Sequence, residues 1–166
     1  MIAVPYVFSH DHIAEGMKQE SSLFAERKRT QEGETLFEEF VFDEEYYRKF
    51  RELFFDAQAL VMDRFSAYLQ YESAGEPYIF EESAYTIDRD FSFTLLMPCD
   101  YNRMYSKNVS IKTREFLIAY IMYRWLETKS PDEAVIYKER ADSTLIDARA
   151  YLEKRIARRR TGGNMY

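Results

Sequence analysis

At 166 residues the chain has the length of one domain. Its 46% hydrophobic and 31% charged side chains place it among folded globular proteins rather than disordered ones. A chain of this size buries roughly 70% of its unfolded surface, so it can hold a core without staples. The single cysteine, Cys99, excludes an internal disulfide and gives no sign of an oxidising compartment.

The longest apolar run, "FLIAYIMYRWL", is too short to span a membrane and contains Arg124. "MIAVPYVFSHDH" has neither a basic n-region nor a clear cleavage site, so no signal peptide is expected and a cytoplasmic origin is the default. The net charge of −6 is unevenly spread. Residues 149–160 carry six basic side chains and one acid, or +5, which leaves −11 on the rest of the chain. Such asymmetry bears on partners rather than on fold. Aromatic residues reach 17%, with fourteen Tyr and thirteen Phe, which fits either an aromatic core or a surface that meets other proteins.

In chain order, "FSHDHI" opens the first helix. Ser9 is the expected N-cap, Asp11 lies in the first turn, and Phe8 and Ile13 have the spacing of a hydrophobic staple. Ile13, Met17, Ser21 and Phe24 share a face, and the helix is expected to end near Arg29. "TQEGE" reads as a loop, and "TLFEEFVF" could be a short extended piece. A second helix starts at Asp43. Tyr47, Phe50, Phe54, Ala57, Val61, Phe65 and Tyr68 recur at three and four, and Gly75 and Pro77 stop it. Residues 78–97 change to a period of two: Tyr85 and Ile87, then Phe91, Phe93 and Leu95, flank a polar "DRD", which predicts a small β-hairpin ended by Pro98.

A third helix covers about 110–128. It is apolar nearly all round from Phe116 to Leu126 and is therefore expected at the centre. "SPDEA" then supplies Ser130 as N-cap, Pro131 at the first helical position and Glu133 at the third, a full capping box. The fourth helix is expected from Pro131 to about Arg159, some 40 Å at roughly 1.5 Å per residue. Ala141, Leu145, Ala148, Leu152 and Ile156 form its seam against another helix, so the third and fourth helices make a long antiparallel hairpin. The fold class expected is mainly α: a helical bundle with a C-terminal helical hairpin and a small β-hairpin insertion. Residues 1–160 form one domain and residues 161–166 a flexible tail.

Little in this chain suggests catalysis. His10 and His12 could share a face and bind a metal only if extended, and a third ligand would have to be a carboxylate, so the pair reads as solvated histidines at a helix start. A nucleophile–base pair would need Cys99 or a serine beside one of these histidines, and nothing places them together. Carboxylate pairs such as Glu38/Glu39 and Glu81/Glu82 fall at helix starts and loops, and Gly162-Gly163 has no helix after it to bind a phosphate. The expectation is a protein that is not an enzyme, with no metal and no cofactor.

The C-terminus "YLEKRIARRRTGGNMY" carries the candidate partner-binding residues: Arg155, Arg158, Arg159, Arg160 and Tyr166. Cations suit a helix C-terminus, and a frayed end is ordinary. A run of three arginines beyond Lys154 and Arg155 exceeds that need. It fits a basic extension that docks on a neighbour with Tyr166 as an aromatic anchor, and contact with nucleic acid is a further alternative.

The segment "FLIAYIMYRWLETKSPDEAVIYKERADSTLIDARAYLEKR" joins an aromatic helix ending in Trp-Leu, a Pro-capped turn, and a long helix with a basic end. With the preceding "FSFTLLMP" it resembles the head–tail connector (adaptor or neck) proteins of tailed bacteriophages over about 85–155, less than half of the chain. The motifs are structural rather than catalytic. The resemblance implies a subunit of a small helical ring, dodecameric in that family, that sits beneath the portal protein in the neck of the virion and contacts tail proteins. DNA would pass through the ring without specific binding, and no membrane is involved. The competing expectation is a cytoplasmic helical adaptor or regulator that binds another protein, and a third is a nucleic-acid-binding module acting through 149–160.

Overall fold

The computed structural model describes residues 1–32, 40–42, 46–70 and 88–156. Among them the order is β1 (Ile2–Phe8), α1 (His10–Glu32), α2 (Tyr47–Arg64), β2 (Phe91–Met97), α3 (Ser106–Leu126) and α4 (Pro131–Leu152). The fold is mainly α with a two-stranded antiparallel sheet, and buried residues from β1 through α4 join in one core.

The sheet pairs distant segments. β1 runs antiparallel to β2 in a register from Ile2 opposite Met97 to Phe8 opposite Phe91. β1 therefore supplies the partner of β2. The Tyr85–Ile87 arm of the expected hairpin lies outside the described residues. In β1, Tyr6 and Phe8 are buried while Ala3, Pro5 and Val7 face out; in β2, Phe91, Phe93, Leu95 and Met97 are buried. Tyr6 stacks on Phe93 at 5.4 Å and Phe8 on Phe91 at 5.9 Å, cross-strand aromatic pairs that help to fix the register.

Only Ser9 separates β1 from α1. Its carbonyl accepts the Ile13 amide at 3.1 Å, and the His10 amide donates to Asp90 Oδ1 at 2.9 Å, so a carboxylate from the approach to β2 meets one of the orphan donors of the helix. Ile13, Met17, Ser21 and Phe24 are all buried, as their spacing predicts. Ser21 is satisfied: its hydroxyl donates to the Lys18 carbonyl and accepts from the Phe42 amide. Gly16 marks the close approach of α1 to α3, because a Cβ there would lie 2.6 Å from Ile118 Cδ1.

α2 ends at Arg64, well before Gly75 and Pro77, which lie outside the described residues. Tertiary pairing overrides the continued helical period. Phe65 is fully buried, Ser66–Tyr68 form one 3₁₀ turn, and Leu69 bridges to Leu95 while the Gln70 amide donates to the Thr94 carbonyl. α3 begins four residues earlier than its apolar run suggests. The Asn102 side chain accepts from the Met104 amide, and a 3₁₀ turn at Arg103–Tyr105 leads into it. Its burial on all sides in the C-terminal half makes it the central helix, packed on α1, α2 and α4.

Two expectations for α4 need correction. Ser130 makes no side-chain capping bond; its carbonyl accepts the Ala134 amide, and Glu133 turns to Lys28 at 3.7 Å instead of closing a capping box. The helix also stops at Leu152, not near Arg159, and is about 33 Å long at roughly 1.5 Å per residue. Residues 154–156 pair with the loop after β2. The Asn102 amide donates to the Lys154 carbonyl and the Ile156 amide to the Asp100 carbonyl, with Tyr101 buried beneath. Ile156 is exposed and does not extend the seam.

Among the described residues the aromatics belong mostly to the core. Fourteen of them, from Tyr6 to Tyr137, are buried, whereas the large hydrophobics left exposed there are almost all aliphatic. One of the fourteen is poorly satisfied: the Tyr6 hydroxyl is buried without a hydrogen-bond partner among the described residues, the Ser106 hydroxyl being directed to Tyr101. Burial, reinforced by Tyr101, holds the Tyr6 phenol well above its usual range. A raised folded-state value means a contribution to stability that is complete below about pH 10 and is lost as pH rises beyond it. Tyr6→Phe is therefore expected to flatten the alkaline loss of stability and to raise stability at pH 7 by up to about 1 kcal/mol, since a buried unpaired hydroxyl is removed. Melting temperatures at pH 7 and pH 10.5 measure both effects.

Candidate functional site

Of the residues expected to bind a partner, Arg155 is described; Arg158, Arg159, Arg160 and Tyr166 lie outside the described residues. Arg155 is engaged within the chain. Its Nη1 donates to the Leu152 carbonyl at 2.8 Å, closing the C-terminus of α4, and its Nε lies 3.5 Å from Asp100 Oδ1.

His10 is not solvated, as the sequence suggested, but only 3% exposed. Its ring lies edge-on to Phe50 and Phe54, with Nδ1 3.2 Å from Asp11 Oδ1 and Nε2 3.5 Å from Asp88 Oδ1. Arg51 Nε donates to the same Asp88 oxygen at 2.5 Å. That bond, opposed by desolvation and aided by the nearby imidazole, holds the Asp88 carboxyl below the usual carboxylate range. The cluster pins residues 88–90 to α1 and α2. His12 is exposed, so helix formation separates the two imidazoles. Cys99 lies beyond the Ile2–Met97 end of the sheet and His10 beyond the Phe8–Phe91 end, about 20 Å away along strands rising roughly 3.3 Å per residue. They cannot act as nucleophile and base on one substrate. Among the described residues no three His, Cys, Asp or Glu side chains converge as metal ligands.

A groove of about 230 Å³ opens between α2, α3 and α4, lined among others by Leu60, Arg64, Phe116, Tyr120, Lys138 and Asp142. The Arg64 Nε is buried there without a hydrogen-bond partner among the described residues, and burial raises the Tyr120 phenol above its usual range. The groove carries both signs of charge and no nucleophile paired with a base.

A larger feature is the outer face of α4. Asp132, Val135, Glu139, Asp142 and Ile146 follow one another at steps of three and four, and all are exposed. Val135 is 54% and Ile146 53% exposed. None of the three carboxylates has an ion-pair partner among the described residues. Their spacing is visible in the sequence, on the side of the helix opposite the seam at Ala141 and Ala148.

No described helix is long and apolar enough to cross a membrane. Comparison with protein-family models, with curated proteins and with solved structures finds no match to this chain.

Proposed function

We propose that the chain is a structural, non-catalytic subunit of an assembly, a head–tail connector of the kind its C-terminal half resembles, working in the neck of a phage virion. The observation that carries this reading is the outer face of α4, where two β-branched side chains stand more than half exposed in one stripe with three carboxylates that have no ion-pair partner among the described residues. Single exposed apolar residues are ordinary. Two on one face of a helix, beside charges without an ion-pair partner among the described residues, suit a surface covered by a neighbouring subunit. The charge of the chain fits the same role: with −11 outside residues 149–160, like charge weakens contact with phosphates and lets DNA pass without sticking. Copies of the chain would form the ring, dodecameric if it follows the family it resembles, with a portal protein on one side and tail proteins on the other.

Val135→Lys with Ile146→Lys tests this directly. Both positions are exposed, so the melting temperature is expected to stay within a few degrees. Association, followed by sedimentation velocity, should weaken about tenfold or more, since charging an apolar contact costs roughly 1–2 kcal/mol at an interface. Unchanged association would contradict the reading.

A further inference from the structure

The side of α3 that turns away from α4 carries the opposite charge. Met104, Lys107, Ile111 and Arg114 follow one another at steps of three and four, all exposed, with Met104 at 84% and Ile111 at 44%. Arg103 adds a further exposed cation beside them. Lys107 and Arg114 have no ion-pair partner among the described residues.

α4 meets the other side of α3. Tyr105, just before the helix, stacks on Tyr151 at 5.6 Å, Phe116 and Tyr120 line a groove with Ala141 and Leu145 of α4, and Lys112, bonded to Glu115 at 2.8 Å, lies on that same side. At 3.6 residues per turn, Lys107, Ile111 and Arg114 stand roughly 100–160° round the helix from Lys112. On α4, Asp132, Val135, Glu139, Asp142 and Ile146 stand roughly 100–180° round from the buried Ala141. The two stripes therefore lie on opposite sides of the hairpin. One is acidic and apolar, the other basic and apolar, and they share the same helical spacing.

We propose that a second copy of this chain lays its α3 stripe, Met104 to Arg114, along the α4 stripe, Asp132 to Ile146, of its neighbour. The apolar side chains cover one another, and Lys107 and Arg114 meet Asp132, Glu139 and Asp142. A chain with net charge −6 repels its copies unless surfaces of opposite sign face each other, and this pair of stripes supplies them. Two different surfaces in contact make a head-to-tail interface, which repeats until it closes as a ring. The inference rests on the reading of the chain as an assembly subunit and names the contact through which it assembles.

Charge exchange tests it. One variant carries Asp132→Lys, Glu139→Lys and Asp142→Lys; the other carries Lys107→Glu and Arg114→Glu. Circular dichroism should show both folded, because every changed side chain is exposed. Each alone is expected to lose self-association by at least about tenfold in sedimentation velocity. Mixed in equal amounts they should associate again, since each then offers the stripe that the other needs, and a chain carrying all five changes should associate with itself. Loss without rescue overturns the proposal. Wild-type association with both variants unimpaired overturns this contact while leaving the subunit reading in place. A wild-type chain that stays monomeric at every concentration overturns both.

Discussion

Replacing Phe50 with alanine is expected to lower the stability of the fold by about 3–5 kcal/mol, the range for a fully buried aromatic whose cavity cannot collapse. Phe50 is completely buried on α2 and lies where three segments meet. Its ring is 5.2 Å from that of His10 at the start of α1, 5.8 Å from Phe42, and stacked on Phe54 at 5.6 Å. Truncation leaves a void beside the buried His10 imidazole, so the loss of packing is joined by water reaching that ring. Urea denaturation measures the loss. A change below about 1 kcal/mol would show that this cluster is not part of the cooperative core.

Trp125→Ala is the second large loss, again about 3–5 kcal/mol. The indole near the end of α3 holds residues 40–42 and Tyr46 against the central helix. Its Nε1 donates to the Phe40 carbonyl at 3.2 Å, Phe42 meets it at 5.3 Å and Tyr46 at 4.6 Å, both close to perpendicular. Lys129 Nζ sits 3.7 Å from the ring centre, a cation–π contact that ties in the turn between α3 and α4. Trp125→Phe keeps part of the packing but loses the hydrogen bond, and should cost roughly half as much. Equal losses for the two variants would locate the effect in the hydrogen bond rather than in the packing.

Those two residues show what could be read from the chain before its structure. Trp125 lies in a run that is apolar on every side, and such a run must be central because no face of it can meet water. Phe50 follows the three-and-four spacing of a single buried face. The spacing of Ile13, Met17, Ser21 and Phe24 was equally plain. β1 was not, because Ala3, Pro5 and Val7 on its outer side are also weakly polar or apolar, which blurs the period of two, and its partner lies some ninety residues away. The end of α4 was missed for a related reason. "EKRI" has good helical propensity, and only the pairing of Lys154 and Ile156 with the loop at Asp100–Asn102 draws it into an extended path.

The candidate surface was half legible. Arg155 was read as a partner-binding residue; the structure places it at the end of α4, donating to the Leu152 carbonyl and facing Asp100. The acidic stripe could have been found by asking which apolar residues fall opposite the seam. The basic stripe could not, because Met104 and Lys107 precede the expected start of the third helix near residue 110; the 3₁₀ turn at Arg103–Tyr105 and the start of α3 at Ser106 bring them beside Ile111 and Arg114.

The central claim is that copies of this chain meet through two different faces of the α3–α4 hairpin. Sedimentation equilibrium of the wild-type chain over a wide concentration range tests it most directly. A head-to-tail contact leaves one free stripe of each kind on any open dimer, so association continues until the ring closes. The account predicts a single large species whose mass is a fixed multiple, above two, of the chain's own. A monomer at every concentration, or an association that stops at a dimer, would contradict it.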